Sequence, residues 1–507
     1  MSREMSRQRA RRQDHGIKQR PWARLTNPYR PFEILSTDEV EAIHLASLDL
    51  LENHGMEIMS DSALDRMKAA GADVDRSSRM VRLDRGLVMA MVGKAPETFT
   101  LTSRNPARNV TFGRNNIAFG SVGGPANVSD LDRGRQSGNF ADLCDLVRLI
   151  QSVETVHVVG GIAVAPIEMD AETRHLDCVH AFITLTDKVW HGSGLGRTRA
   201  SDCIDMMCLA RGIDRDRLRA EPSILTTINC NSPRRYDGPL LDGLETMAEA
   251  GQALSITPFT LLGAMSPVTI AGSLTQQNAE ALLGLAYTQM VNPGNPVFYG
   301  GFTSNVDMKT GAPAFGTPEY AKAVIAGAQL ARRYRLPYRS SNVNASNAPD
   351  AQAAYESEMS IWSAVLAHTN LVHHGVGWLE GGLTASFEKV ILDAEMLQMM
   401  ASFLEPVPLD RDSLAVEAIA AVPPGGHFFG TAHTLARYET AFYAPLVSDW
   451  RNFENWRDAG SLTATQRANL MWKELLKAYT PPPIDPAIDE ALRAYMARRK
   501  TEIAVAA

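Results

Sequence analysis

Eight short runs of apolar or β-branched residues, each followed by a stretch of helical spacing, recur between residues 117 and 376. The strand-like cores are Ile117–Ser121, Val156–Gly160, Val189–Ser193, Ile224–Cys230, Ile256–Leu262, Val297–Gly301, Tyr338–Val343 and Leu371–Gly375. Their starts lie roughly 30–40 residues apart, the length of one strand, one helix and two short loops. Eight consecutive βα units predict an α/β chain closed into a (β/α)8 TIM barrel. Such barrels carry their chemistry at the carboxyl ends of the strands, so the repeat also says where a site should lie.

The 507 residues leave room for additions around a barrel, and four regions are expected. They are a basic arm at 1–30, an α+β cap at 31–115, the barrel at 116–405 and a mostly helical extension at 406–507. In the arm Arg3, Arg7, Arg9, Arg11, Arg12, Lys18, Arg20 and Arg24 crowd together without an apolar signal segment. Arm and tail are candidates for contacts between copies of the chain, a homo-oligomer. A net charge of −7 gives no reason to expect a nucleic-acid surface, and no apolar run reaches the length expected of a membrane span. The five cysteines contain no C-x-x-C pair and read as reduced, buried small hydrophobes of a cytoplasmic protein.

Local punctuation supports the organisation. Ser36 with Glu39 forms a capping box ahead of Val40, Ile43, Leu48 and Leu51. Asp61–Gly71 reads as a second helix, and Met80–Leu83, Phe99–Thr102 and Val110–Phe112 as short strands. The barrel helices are expected at Phe140–Ser152, Glu172–Leu185, Ala200–Arg211, Leu240–Gln252, Gln276–Met290, Pro318–Tyr334, Ala351–His368 and Phe387–Phe403. Asn139 and Asp350 are N-caps in this reading, and Pro318 sits in a first turn behind Thr317.

The strand ends offer His191, Asn229, Asn231, Tyr299, Phe302, Asn342, Asn344, His373, His374, Trp378 and Glu380. Acids are scarce among them, so neither a paired-carboxylate hydrolase nor a metal centre is expected. His373 and His374 are adjacent on a strand, so at most one is expected to face the interior. Tyr299, Phe302 and Trp378 suit packing individually; together they suit an aromatic enclosure for a quaternary ammonium. Gly192-Ser193-Gly194-Leu195-Gly196-Arg197 has the spacing of a tight βα loop, not of a dinucleotide fingerprint. The sequence carries no P-loop and no D-x-H-x-x-G run.

Several further stretches stand out. They are Phe119–Pro125, Leu336–Ser340, Pro349–Ser357, Gly381-Gly382-Leu383 with Ser386, Glu388-Lys389, Asp393 and Glu395, and finally Gly425-Gly426-His427-Phe428 leading to His433-Thr434-Leu435. In these the chain resembles the trimethylamine methyltransferase family over almost everything beyond the arm. The resemblance implies a barrel that moves a methyl group from an amine to the cobalt of a separate corrinoid protein. No cofactor is then bound tightly, and cobalamin arrives on the partner.

Some members of that family carry pyrrolysine after the seventh strand. Ser341-Asn342-Val343-Asn344-Ala345-Ser346 holds only ordinary residues there, so the chain resembles the pyrrolysine-free branch, glycine betaine methyltransferase-like. A quaternary ammonium leaves as a neutral tertiary amine and needs no general acid, which agrees with strand ends poor in acids. A betaine carboxylate needs donors, for which Arg339, Asn342, Asn344 and His374 stand in suitable places. Glu380 can face the cation or form a structural ion pair. The alternatives are methyl transfer from trimethylamine or another methylamine, and a betaine-binding barrel without turnover.

Overall fold

The computed structural model describes residues 17–506. Eight parallel strands close a barrel: β1 (Asn116–Ser121), β2 (Val158–Val159), β3 (Val189–His191), β4 (Ile224–Ile228), β5 (Ala253–Ile256), β6 (Val297–Gly300), β7 (Tyr338–Ser341) and β8 (Leu371–Val376). Each pairs with the next, and β8 returns to β1 through Leu371 opposite Ala118. Around them run α1 (Phe140–Ser152), α2 (Arg174–Leu185), α3 (Arg197–Arg211), α4 (Gly238–Glu249), α5 (Ile270–Val291), α6 (Pro318–Arg333), α7 (Ala351–Leu366) and α8 (Phe387–Phe403). The expected (β/α)8 fold is therefore present. Asn139, Thr317 and Asp350 cap α1, α6 and α7 with their side chains, and Ser36 and Glu39 close their capping box on Thr37–Asp49.

The fifth repeat departs from the sequence reading. The barrel strand ends at Ile256, and Phe259–Leu262 is a separate strand paired with Phe302–Val306 above the mouth. Pro258 lies at the break; it has no amide hydrogen to give the ladder. The sixth strand divides in the same way at Gly301, so two aromatic residues, Phe259 and Phe302, start a second storey over the cavity.

Inside the barrel, Val158, Val189, Leu225, Phe298 and Leu371 form an apolar floor. A hairpin of Phe99–Leu101 and Val110–Phe112 seals it from below, with Phe99 and Phe112 edge-on to Phe298 at 5.1 and 4.9 Å between ring centres. Of the arm, residues 1–16 lie outside the described residues. From residue 17 on it packs against its own barrel: Leu25–Thr26 pairs with β1, and His157 Nε2 lies 2.9 Å from the carbonyl of Ala23. Thr37–Asp49 lies along α5, and Met56–Ile58, Asp73–Asp75, Met80–Arg82 and Arg235–Tyr236 form a small flanking sheet. The tail helices Ala464–Ala478 and Pro486–Ala506 return to α8 and α1 and to α3 and α2, respectively. No described helix is long and apolar enough to cross a membrane.

Candidate active site

With the floor sealed, the barrel opens at its carboxyl end into a cavity of about 490 Å3. Gly123 and Gly160 bring the loops after β1 and β2 together there: a Cβ on Gly123 would stand 2.1 Å from the Gly160 carbonyl oxygen. The remaining wall is made by His191, Thr227, Asn229, Thr257, Phe259, Phe302, Arg339, His373, His374 and Trp378.

Both histidines of the eighth strand reach the cavity, which corrects the expectation that only one could. His374 adopts φ +54°, and the β8–β1 register shifts between Val372 and Val376. The strict alternation of a strand is broken at that point, so consecutive side chains turn to the same side. The two rings lie 4.2 Å apart, with His191 5.7 Å from His373 and Trp378 4.3 Å from His374. His191 Nε2 accepts the Thr227 amide at 2.7 Å, which places the proton of the neutral ring on Nδ1.

Among the lining residues there is no Asp or Glu. The one formal charge is Arg339, whose side chain is 4% exposed and lies 5.5 Å over the Phe302 ring. Its Nη1 is buried without a partner, and it forms no ion pair among the described residues. Burial pushes its pKa down to about 10, and burial with the Arg339 charge pulls His191 down to about 4. His373 and His374 move in the same direction for the same reasons, and their Nδ1 atoms are also buried without partners. At neutral pH the lining carries the Arg339 guanidinium, the neutral rings of His191, His373 and His374, the ring of His175 and a wall of aromatic faces.

Trp378 is held from several directions. Its indole Nε1 donates to the Asn344 carbonyl at 3.1 Å, and Asn344 Nδ2 donates back to the Trp378 carbonyl at 2.6 Å. Gly382 permits the ring's position, because a Cβ there would stand 2.5 Å from the indole.

Of the strand-end residues singled out in the sequence, His191, Asn229, Phe302, Arg339, His374 and Trp378 line the cavity. Four others do not. Tyr299 points outward, as its alternation with the floor residue Phe298 requires, and its hydroxyl donates to Asn278 Oδ1 on α5 at 3.0 Å. Asn342 Nδ2 donates to the Gly375 carbonyl at 3.0 Å and so braces the end of β8, while Asn344 holds Trp378 just beyond it. Glu380 pairs with Arg135 at 2.9 Å and accepts from Thr384, joining the hairpin of Asn127–Asp130 and Gly134–Ser137 to the loop after β8. His373, Phe259 and His175 line the site but were not singled out as binding residues. His175 sits on α2, with Nε2 2.8 Å from Asp202, where no strand-end pattern could have found it.

The buried imidazoles make stability depend on pH. Burial lowers His44, His157 and His191 to about 4, whereas unfolded histidines titrate near 6.5. The unfolded chain therefore binds more protons below about pH 6.5. The stabilisation is complete above that pH and is lost progressively as pH falls toward 4. His157 alone contributes on the order of 3 kcal/mol. The melting temperature is expected to fall by roughly 5 °C or more between pH 7 and pH 5. A flat thermal profile over that interval would contradict the neutral buried imidazoles.

A closed βα barrel whose mouth holds a desolvated guanidinium, neutral imidazoles and aromatic faces, with no carboxylate on its lining, has the make-up of a small-molecule site. The chain belongs to the trimethylamine methyltransferase family, whose model matches residues 2–504. The glycine betaine methyltransferase of Desulfitobacterium hafniense (strain Y51) is 35% identical over 473 residues, covering 93% of this chain and 98% of that protein. A trimethylamine methyltransferase of Desulfitobacterium hafniense (strain DSM 10664 / DCB-2) is 29% identical, covering 93% of this chain and 95% of its own length. The crystal structure of the Methanosarcina barkeri monomethylamine methyltransferase matches 89% of this chain and 90% of its own at TM-score 0.48 and 9% identity.

Proposed function

We propose that this barrel transfers a methyl group from a quaternary amine bearing a carboxylate, glycine betaine or a close analogue, to the Co(I) of a corrinoid carried by a separate protein. The observation that carries the substrate choice is Arg339, a buried guanidinium without a counter-ion in an acid-free cavity. A buried charge is retained at a cost unless a ligand completes it. A carboxylate does so with charge-assisted hydrogen bonds. Trimethylamine and tetramethylammonium bring only positive charge or none, so they leave Arg339 unmatched.

The onium end then lies against the faces of Phe302 and Trp378, which attract a desolvated cation through their quadrupoles. In this reading His374, whose Nδ1 has no partner, adds a second donor for the carboxylate. The corrinoid supplies the nucleophile: Co(I) gives both electrons of the new carbon–cobalt bond. The carbon–nitrogen pair departs on nitrogen as a neutral tertiary amine, so no proton moves. The chain's own part is to anchor the carboxylate, fix one methyl toward the open mouth and exclude water. The free cysteines agree with a cytoplasmic setting.

The test mixes the full chain with a Co(I) corrinoid protein, or with cob(I)alamin, and a panel of glycine betaine, other betaines, tetramethylammonium and trimethylamine. Methylcob(III)alamin absorbance is expected with one or more of the carboxylated donors. Methylation from trimethylamine but not from betaines would overturn the substrate choice. Betaine binding without methylation of either acceptor would leave a binding barrel.

A further inference from the structure

Residues 406–442 leave the end of α8 and form a projecting arm with short helical turns at Arg411–Leu414, Val416–Ala420 and Ala432–Leu435. The arm is rooted at both ends on α8: Leu404 is buried at one end, and at the other Val447 and Tyr443 reach Glu395. Between the roots, none of its side chains is buried. Its hydrogen bonds and ion pairs stay within the arm itself, such as Arg411 with Glu417 and Arg437 with Asp412. Yet it is rich in large apolar residues: Leu409, Val416, Ile419, Phe429, Tyr438 and Phe442 are 75, 69, 58, 84, 61 and 82% exposed. It also contains Gly425–Phe428 and His433–Leu435, two of the stretches that carry the family resemblance, whose hydrogen bonds reach no residue outside the arm.

A segment of this length cannot stay ordered on local helical turns alone, since ordering each residue costs roughly 1–2 kcal/mol of backbone entropy. Contiguous exposed apolar surface of this extent marks an association site. A matching surface lies beside the arm's root. On α7, Tyr355, Met359 and Trp362 follow helical spacing on the outer face, and on α8 Met399 and Phe403 do the same. They are 64, 44, 37, 44 and 40% exposed.

We propose that the arm of one copy lies across the α7–α8 face of a second copy, with the exchange reciprocated about a two-fold axis. Donor and acceptor surfaces are both apolar and both present in every chain. The arm is rooted at the end of α8, so an axis beside the α7–α8 face brings each arm onto its partner's face. The area is adequate. A buried aromatic side chain contributes roughly 150–250 Å2, so Phe429, Tyr438 and Phe442 of two arms supply on the order of 1,000 Å2. An ordinary stable interface needs roughly 1,600 Å2 counted over both partners, and the facing α7–α8 residues supply the rest.

The test measures the mass of the full-length protein in solution by light scattering at micromolar concentration. A dimer, or a higher assembly built from dimers, is expected for the wild type. Phe429→Ser with Phe442→Ser is expected to weaken association at least a hundredfold with no change in circular dichroism, because neither side chain is buried in its own chain. Tyr355→Asp with Met359→Asp, on the acceptor face, is expected to do the same. A monomeric wild type would overturn the proposal, including one that uses the arm to capture the corrinoid protein. Dissociation by the arm variant but not by the acceptor-face variant would equally overturn it, since the arm would then lie elsewhere.

Discussion

Replacing Arg339 with Met is expected to raise the KM for glycine betaine by two to three orders of magnitude while the protein melts no lower than the wild type. The guanidinium is buried and unpaired, and its Nη1 has no partner. Its removal from the free protein therefore relieves a desolvated charge and keeps the volume filled. In the complex the same change strips a carboxylate of its buried counter-ion, which costs about 3–4 kcal/mol, or a factor of several hundred. The two effects have opposite signs, so lost affinity cannot be mistaken for lost folding. Tetramethylammonium supplies a second readout. It has no carboxylate, and the wild-type guanidinium repels it, so Arg339→Met is expected to bind it more tightly. An unchanged KM for glycine betaine in this variant sinks the assignment of Arg339. Weaker binding of both ligands points to a collapsed cavity instead.

The charge pattern behind that result was only partly legible in the sequence. The eight strand cores follow from apolar runs at regular spacing, because parallel strands buried on both faces must be apolar nearly throughout. Arg339 could be placed at a strand end, but its lack of a counter-ion depends on which acids approach from elsewhere, and spacing does not carry that. The same limit explains Asn342 and Asn344. Their amides look like ligand donors at strand ends, whereas the backbone carbonyls of Gly375 and Trp378 already occupy them.

His373 and His374 show a second limit. Alternation forbids both from facing inward, and a backbone turn at His374 overrides alternation. Gly375 and Gly377, flanking Val376, were the only local sign of an irregular strand end. The division of the fifth strand was more accessible, since Pro258 cannot sit within a central ladder. The arm at 406–442 reads as a helical extension by composition, and only its lack of burial sets it apart from the packed tail helices that follow.

Lys389 and Asp393 carry the second large effect. They are one turn apart on α8, with side chains 1 and 0% exposed, and they form an ion pair. Lys389 Nζ also donates to Ser357 Oγ on α7 at 2.7 Å, and Asp393 Oδ2 accepts the Gly377 amide at 2.8 Å. Gly377 has φ +92° and is followed by Trp378, so the pair sets where the indole stands. Burial pulls the Asp393 carboxyl upward, and Lys389 opposes the shift. In Lys389→Met that opposition is gone. The variant is expected to lose about 3–5 kcal/mol and to melt on the order of 5–10 °C lower. The sign of the pH dependence follows from the raised carboxyl. Protonated Asp393 tolerates burial, so the loss is smaller at pH 5 and grows as pH rises through the raised pKa. Replacing both residues, Lys389→Met with Asp393→Leu, removes the unpaired charge and is expected to recover most of the melting temperature. It leaves the Gly377 amide without its acceptor, however, so Trp378 loses one of its supports and the KM for betaine stays raised by roughly tenfold. Full recovery of both stability and KM in the double variant would reduce the pair to core filling with no part in placing the indole.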